Sequence, residues 1–214
     1  MFSVRPPMEL ARVEVTHPPA HTAGSVLSAG EYLRSATRSS HVDAERSLGL
    51  GTPLTLPVYR HAVAVFCAVF EPIETALAIW EDANPGAWVV TRRAHWALDD
   101  LDQLSGGRAE LAAVSSLLEK APLSATCAAE VFGWLYVLEG SALGAAVVAR
   151  QVRTEIAEAP AQFFARADPS RWPGFLAVLD NALDGSDLQA QATRSARVVF
   201  ERFVSAACVG NSRG

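Results

Sequence analysis

The stretch "LRSATRSSHVDAERSLGL", residues 33–50, carries the pattern that decides the fold of this chain. Its small and apolar residues recur at the spacing of one helix face, and they form a stripe of Leu33, Thr37, His41, Ala44 and Leu48. The segment therefore predicts an amphipathic helix that buries this stripe and places one imidazole on it.

Both ends of that helix are marked in the sequence. Ser28 followed by Glu31 predicts a capping box at the start, and Gly49, Gly51 and Pro53 predict the end. Further helical patterns follow at 57–83, 92–104, 109–120 and 125–157, with two short ones and a final helix after residue 186. The sequence contains no alternating run long enough for a sheet, so it predicts an all-α, single-domain bundle of about eight helices.

Length and composition restrict the classes of protein to which the chain can belong. The chain has 214 residues and a net charge of −5, which argues against nucleic acid as the main partner. Residues 1–27 are broken by prolines and predict a flexible tail without the apolar stretch of a signal peptide, which leaves a domain over 28–210. The apolar segment 125–149 is interrupted by Glu130 and Glu139 and predicts a buried helix rather than a membrane span.

The cysteines do not suggest a disulfide framework or a zinc site. Cys67, Cys127 and Cys208 are odd in number, widely spaced and each in an apolar context. We therefore expect buried free thiols in a protein of the reducing cytoplasm.

His41 and Glu45 are the first candidate site. They lie four residues apart, so they are neighbours on one helix face. A metal-binding histidine usually donates its second N–H to a carboxylate or carbonyl, which fixes the tautomer and strengthens the ligand. The alternative is a partly buried histidine hydrogen-bonded to a nearby glutamate, and this pair alone does not decide between them.

The second candidate feature is the segment "FGWLYVLEGSALGAAVVAR", residues 132–150. It places Gly133, Gly140 and Gly144 within about 60° of one another on one predicted helix. Each glycine inside a helix costs roughly 1 kcal/mol relative to alanine, so three on one face need a reason. The reason can be close packing of another helix or the close approach of a flat, bulky ligand.

Several site classes are excluded by their motifs. A di-iron bundle needs Glu-x-x-His pairs on two helices, and none of the predicted helices contains one. Walker loops, Rossmann glycine patterns, H-E-x-x-H and G-x-S-x-G motifs are also absent. One ligand-quality histidine on one helix and a glycine face on another is the layout of a haem held between a proximal and a distal helix.

The sequence resembles the haem oxygenases over residues 33–207, most closely the bacterial group often encoded beside bacteriophytochromes. The motif "LRSATRSSHVDAE" is similar to the family's proximal helix and "LYVLEGSALGA" to its distal helix, about 100 residues later. The resemblance implies a haem that is both cofactor and substrate, and O2 cleavage of its ring to biliverdin, CO and ferrous iron.

The resemblance also implies residue roles. His41 is expected to bind the iron, Glu45 to support it, Arg34 to pair with a haem propionate, and Thr37 to lie on the haem-binding helix. On the distal side it implies Gly140 and Gly144 over the iron, Ser141 near the water that delivers protons, and Phe200 in the pocket wall.

The sequence departs from the family at three places. Ser141 stands where many members have aspartate, Ala145 stands where a glycine often follows, and the segment 175–183 has no basic residue to anchor the second propionate. The expected partners are a reductase or ferredoxin and a bacteriophytochrome that receives biliverdin, for a cytoplasmic monomer. A haem carrier or sensor without turnover, and an all-α interaction protein without haem, remain the alternatives.

Overall fold

The structure is a computed structural model that describes residues 27–51, 53–118 and 125–208. These residues form eight α-helices and one short 3₁₀ turn, with no strand among them. The helices are α1 (Ala29–Leu48), α2 (Leu56–Ala83), α3 (Ala94–Gln103), α4 (Gly107–Leu118), α5 (Ala128–Glu155), α6 (Gln162–Ala165), α7 (Trp172–Ala182) and α8 (Ser186–Ala207), and the turn is Pro169–Arg171. The prediction of an all-α fold with about eight helices is confirmed, whereas the predicted tail lies outside the described residues except for Leu27.

The first helix begins and ends as its sequence predicts. The Ser28 hydroxyl accepts from the Glu31 amide at 3.2 Å, and the Glu31 carboxylate accepts from the Ser28 amide at 3.0 Å. At the other end Gly49 adopts φ 65°, a left-handed conformation that suits glycine because it has no Cβ. These two caps fix where α1 lies and which face it can bury.

Helix α8 is the element against which the other long helices pack. It contacts α1 and α5 along most of their shared length, and it also contacts α2 and α4. An aromatic cluster fills the core between α2, α6 and α8, with ring centroids 4.9–6.3 Å apart; it consists of Phe66, Phe70, Phe163, Phe164 and Phe203. The two helices that carry the predicted site, α1 and α5, are thus held on one common support.

Two helices, Leu56–Ala83 and Ala128–Glu155, are long and apolar enough to cross a membrane by length and composition. Their most apolar windows are 67% and 61% buried inside the fold, and both carry side chains of the core cluster. This burial is what core helices of a helical bundle show, as expected for the 125–149 segment.

Two of the helices without a local side-chain cap, α3 and α6, are capped by remote carboxylates. The start of α3 is bound by Glu74 of α2, which accepts from the amides of Arg93 at 2.7 Å and Ala94 at 3.1 Å. The start of α6 is bound by Asp100 of α3, which accepts from the amides of residues 162 and 163, both at 3.0 Å. Glu74 and Asp100 are buried, and burial raises the pKa of both carboxyls despite these bonds.

The cysteine expectation needs correction. All three thiols are free, but only Cys67 is buried; Cys127 is partly exposed and Cys208 is exposed at the end of α8. The buried residues near Cys208 belong to α8, and the cysteine itself follows the last helical residue, Ala207.

Candidate functional site

The proximal side of the site is one face of α1. The Nδ1 atom of His41 lies 3.5 Å from Oε2 of Glu45, so the carboxylate is on the expected side of the ring. The ring of Phe200 on α8 meets the His41 ring edge-on, with centroids 5.5 Å apart. No described residue forms a hydrogen bond with Nε2, which leaves this nitrogen available as a ligand atom.

His41 is not buried, contrary to the stripe that the sequence predicts. Leu33, Thr37, Ala44 and Leu48 are buried, but the His41 side chain is 54% exposed. At 100° per residue, His41 lies at the margin of this stripe, about 50° from its centre. The packing of α1 on α8 therefore covers the other four side chains and leaves the imidazole at the edge of the contact.

The two predicted halves of the site meet at Thr37 and Tyr136. The Thr37 hydroxyl on α1 lies close enough to the phenol of Tyr136 on α5 to affect its pKa, and this hydroxyl donates to the Leu33 carbonyl at 2.7 Å. His41 follows Thr37 by one helical turn, and Gly140 follows Tyr136 by one turn. His41 and Gly140 thus lie about 6 Å along their helices from Thr37 and Tyr136, respectively.

Burial raises the pKa of Tyr136, while the Thr37 hydroxyl and the charge of Arg34 act in the opposite direction. The phenol therefore stays protonated at neutral pH. Arg34 itself is exposed on the Thr37 side of α1, where a carboxylate ligand could reach it.

The three distal glycines do not share one role, although they lie on one stripe. A Cβ at Gly133 would lie 2.2 Å from the Ala192 carbonyl oxygen of α8, so this glycine is required by helix packing. A Cβ at Gly140 would meet the indole of Trp172 at 3.5 Å, an ordinary contact. A Cβ at Gly144 would have nothing within 4 Å.

The stripe therefore divides along the helix. Both of the alternatives left open by the sequence apply, at different positions: close helix packing at Gly133, and a bare backbone facing free space at Gly144. All three glycines have negative φ, since positive φ values occur only at four other glycines among the described residues. The fold itself thus gives no backbone reason for glycine at 140 or 144.

Behind these glycines lies a buried arginine that the sequence analysis missed. Nη2 of Arg93 donates to the Leu138 carbonyl at 3.0 Å and to the Ser141 hydroxyl. Ser141 in turn donates to the same Leu138 carbonyl at 2.6 Å. One lone pair of the Ser141 oxygen remains for a further donor such as water.

Arg93 is held from two sides. Its backbone amide donates to Glu74, and its guanidinium lies over the rings of Phe70 and Phe163 at 5.0 and 5.2 Å. Burial lowers the pKa of Arg93 to about 10, with Glu139 and Glu74 acting in the opposite direction, so it is a cation at neutral pH. The local sequence "VTRRAHWA" does not indicate that Arg93 is buried and anchored, since the carboxylate that binds its amide lies 19 residues upstream.

Two residues before Ser141, Glu139 is buried and forms an ion pair with Arg171. It accepts from the Trp88 indole at 2.8 Å and from Arg171 at 3.2 Å. Between these groups and Arg93 is a cavity of about 10 Å³, which is lined in part by Asp168 and is near the smallest size that holds one water. Arg93, Glu139 and Arg171 therefore place several polar groups near the predicted catalytic serine of α5.

The other histidines of the described residues are not part of this region. His61 binds the Glu110 carboxylate at 2.7 Å and the Ala207 carbonyl at 3.1 Å, which is a structural role, and His95 is exposed beside Trp96. Within the described part of the chain, no three histidine, cysteine or acidic side chains cluster as a metal site. A single-histidine ligand to a haem iron fits this inventory, with His41 to hold it, Arg34 for a propionate and Gly144 leaving room for the ring.

Comparisons with known proteins agree with this inventory. A family model described as "Heme oxygenase" matches residues 27–207. A curated protein named "Heme oxygenase" from Xanthomonas campestris pv. campestris (strain 8004) is 38% identical over 86 residues, which are 38% of this chain and 52% of that protein. The chain thus aligns with about half the length of this relative. No solved structure matches the chain.

Proposed function

The chain belongs to the haem oxygenase family, and from this membership we propose that it is an active, biliverdin-producing enzyme. The reaction is oxidative cleavage of haem with O2 and reducing equivalents, giving biliverdin, CO and ferrous iron. In this proposal His41 is the iron ligand and the haem lies between α1 and α5.

One observation carries the proposal. His41 on α1 has an Nε2 atom without a hydrogen-bond partner among the described residues, and the α5 backbone at Gly144 has no neighbour within 4 Å of a Cβ position. The fold does not require glycine at 140 or 144, so the missing side chains have another use. Close approach of a flat ring to the α5 backbone is that use.

The α1 residues bind and orient. The Glu45 carboxylate lies 3.5 Å from Nδ1 of His41, where it favours the tautomer that is protonated at Nδ1 and leaves Nε2 as the ligand atom. Arg34 pairs with a propionate at the solvent edge, and Phe200 restricts rotation of the imidazole by its edge contact.

The α5 residues leave room for the porphyrin ring and bind a water molecule. When bound, haem supplies the iron that takes up O2 and electrons and the porphyrin that is oxidised. Arg93 fixes the Ser141 oxygen so that its remaining lone pair can accept from a water on the glycine side. This support from a buried cation is what favours an enzyme over a carrier, since binding alone needs no fixed water.

The partners and location follow from the resemblance and are part of the proposal. The electron donor is a reductase or ferredoxin, the product passes to a bacteriophytochrome, and the protein is a cytoplasmic monomer. The acidic net charge of −5 is compatible with such a protein.

The test is haem titration followed by aerobic reduction. Purified protein is titrated with ferric haem, and the complex is then supplied with ascorbate or a ferredoxin system under air. We expect a saturable Soret band that disappears on reduction while biliverdin absorbance and CO appear.

Each other outcome selects an alternative. A stable Soret band under reduction in air identifies a carrier or sensor without turnover. A chain that shows no saturable haem binding is an all-α interaction protein, and the proposal is then wrong.

A further inference from the structure

Trp172 lies on the first distal glycine. It is the first residue of α7, directly after the 3₁₀ turn, and its Cη2 and Cζ3 atoms lie 3.5 Å from the position of a Gly140 Cβ. The same indole packs against Tyr136, with ring centroids 5.5 Å apart. One side chain of α7 therefore covers two successive turns of α5 on the face that carries Gly140.

The position of this indole is fixed by its neighbours. Phe175, which is fully buried, packs against Trp172 at 5.6 Å and against Trp88 at 5.3 Å. On the other side Tyr136 is buried and lies beside Thr37 of α1. The indole is thus held between a core aromatic group and a buried tyrosine.

The side-chain-free face of α5 consequently has a boundary. It is covered by Trp172 at Gly140 and is free of neighbours at Gly144, one turn further on. A flat ligand that lies against this face can extend past Gly144 but meets the indole toward Tyr136.

We propose that Trp172 is a specificity-determining residue, the end wall that fixes the in-plane position and rotation of the porphyrin under α5. This inference rests on the proposed function. The segment 175–183 offers no basic side chain to anchor a propionate from the α7 side, so the seating has to be set by shape there. The rigid indole at one end of the side-chain-free backbone fixes the position of the porphyrin, and this position selects the meso carbon that is attacked.

The experiment compares Trp172→Phe and Trp172→Ala with wild type and with Trp96→Phe as a matched control. Trp96 is on α3, where it packs against His95 and under Arg166, away from α5. The first readout is the proton NMR spectrum of the ferric haem complex, whose shifted haem-methyl resonances report the seating. The second is the ratio of biliverdin isomers after turnover.

We expect Trp172→Ala to keep the Soret band of a His41-bound haem and to show a second set of methyl resonances, with a several-fold change in isomer ratio. Trp96→Phe should match wild type in both readouts. An Ala variant that folds and binds haem with an unchanged methyl pattern and isomer ratio overturns the inference.

If Trp172→Ala does not fold, Trp172→Phe decides, because it keeps an aromatic ring against Phe175 while removing the part of the indole over Gly140. A Phe variant with wild-type methyl resonances then overturns the inference. Failure of the wild-type chain to bind haem overturns the proposed function as well, and this result differs from wild-type binding with no effect at Trp172.

Discussion

The distal glycines provide the sharpest test, because the structure assigns opposite signs to substitutions on one stripe. In Gly133→Ala the new methyl would lie 2.2 Å from the Ala192 carbonyl oxygen and 2.9 Å from the Ser195 Cβ. The oxygen belongs to the backbone of α8 and cannot rotate away, so α5 and α8 must separate. Overpacking of this kind typically costs 1–3 kcal/mol, which exceeds the roughly 1 kcal/mol that alanine gains as a helix former.

At Gly144 the same change has the opposite effect. The backbone has negative φ and the methyl has no neighbour within 4 Å, so no strain opposes it. The apo protein should gain about 0.4–1 kcal/mol through the lower entropy of its unfolded chain. Gly140→Ala should be near neutral or slightly stabilising, since its methyl would only touch Trp172 at 3.5 Å.

The assay is urea unfolding of the three apo variants followed by far-UV circular dichroism, beside haem titration of each. For a chain of this size, 1 kcal/mol corresponds to about 2–4 °C in Tm, so thermal melts give an independent check. Haem affinity or turnover should fall in Gly144→Ala, because the methyl intrudes on the ring.

Two results would refute this reasoning. If Gly133→Ala is as stable as wild type, α5 and α8 do not pack as described. If Gly144→Ala destabilises the apo protein and binds haem normally, the whole stripe is a packing surface and the ligand explanation fails.

Three further predictions concern single side chains. His41→Ala should abolish the Soret band of tight haem binding while changing unfolding free energy by less than about 0.5 kcal/mol, because the side chain is 54% exposed; full turnover in this variant would exclude His41 as the ligand. Glu45→Gln should keep haem bound but shift the iron–histidine stretch in resonance Raman to lower frequency, and an unchanged band would reduce Glu45 to a solvated neighbour. Because burial raises the pKa of Glu74, wild type loses stability as pH rises from the pKa of an unfolded glutamate through the raised folded value. The stability of Glu74→Gln relative to wild type, measured by urea unfolding, should therefore increase as pH rises above the ordinary range of a glutamate and not stay flat.

Local sequence predicted the features that depend on local physics. The capping box at Ser28, the left-handed Gly49 and the helical periods are properties of a few neighbouring residues, and the structure has them. The position of His41 at the edge of its stripe was not predicted, because burial there depends on how α8 is rotated against α1.

The distal region could be predicted only in part for the same reason. The three glycines look equivalent in sequence, and only the position of α8 shows that Gly133 is a packing residue. Arg93 is not marked as a site residue by its neighbours in the sequence. Its burial follows from Glu74 and from the distal helix, contacts that span 19 and 45 residues of sequence.

The remote caps described for α3 and α6 have a consequence for folding. Glu74 satisfies amides 19 and 20 residues away, and Asp100 satisfies amides 62 and 63 residues away. The start of α3 cannot be capped until α2 is in place, because Glu74 lies on α2. The start of α6 in turn cannot be capped until α3 is in place, because Asp100 lies on α3. The amides of residues 93, 94, 162 and 163 should then exchange with deuterium only when the whole molecule unfolds. Arg93 carries one of these amides and also binds Ser141 of α5, so the contacts of Ser141 should be lost in the same cooperative step.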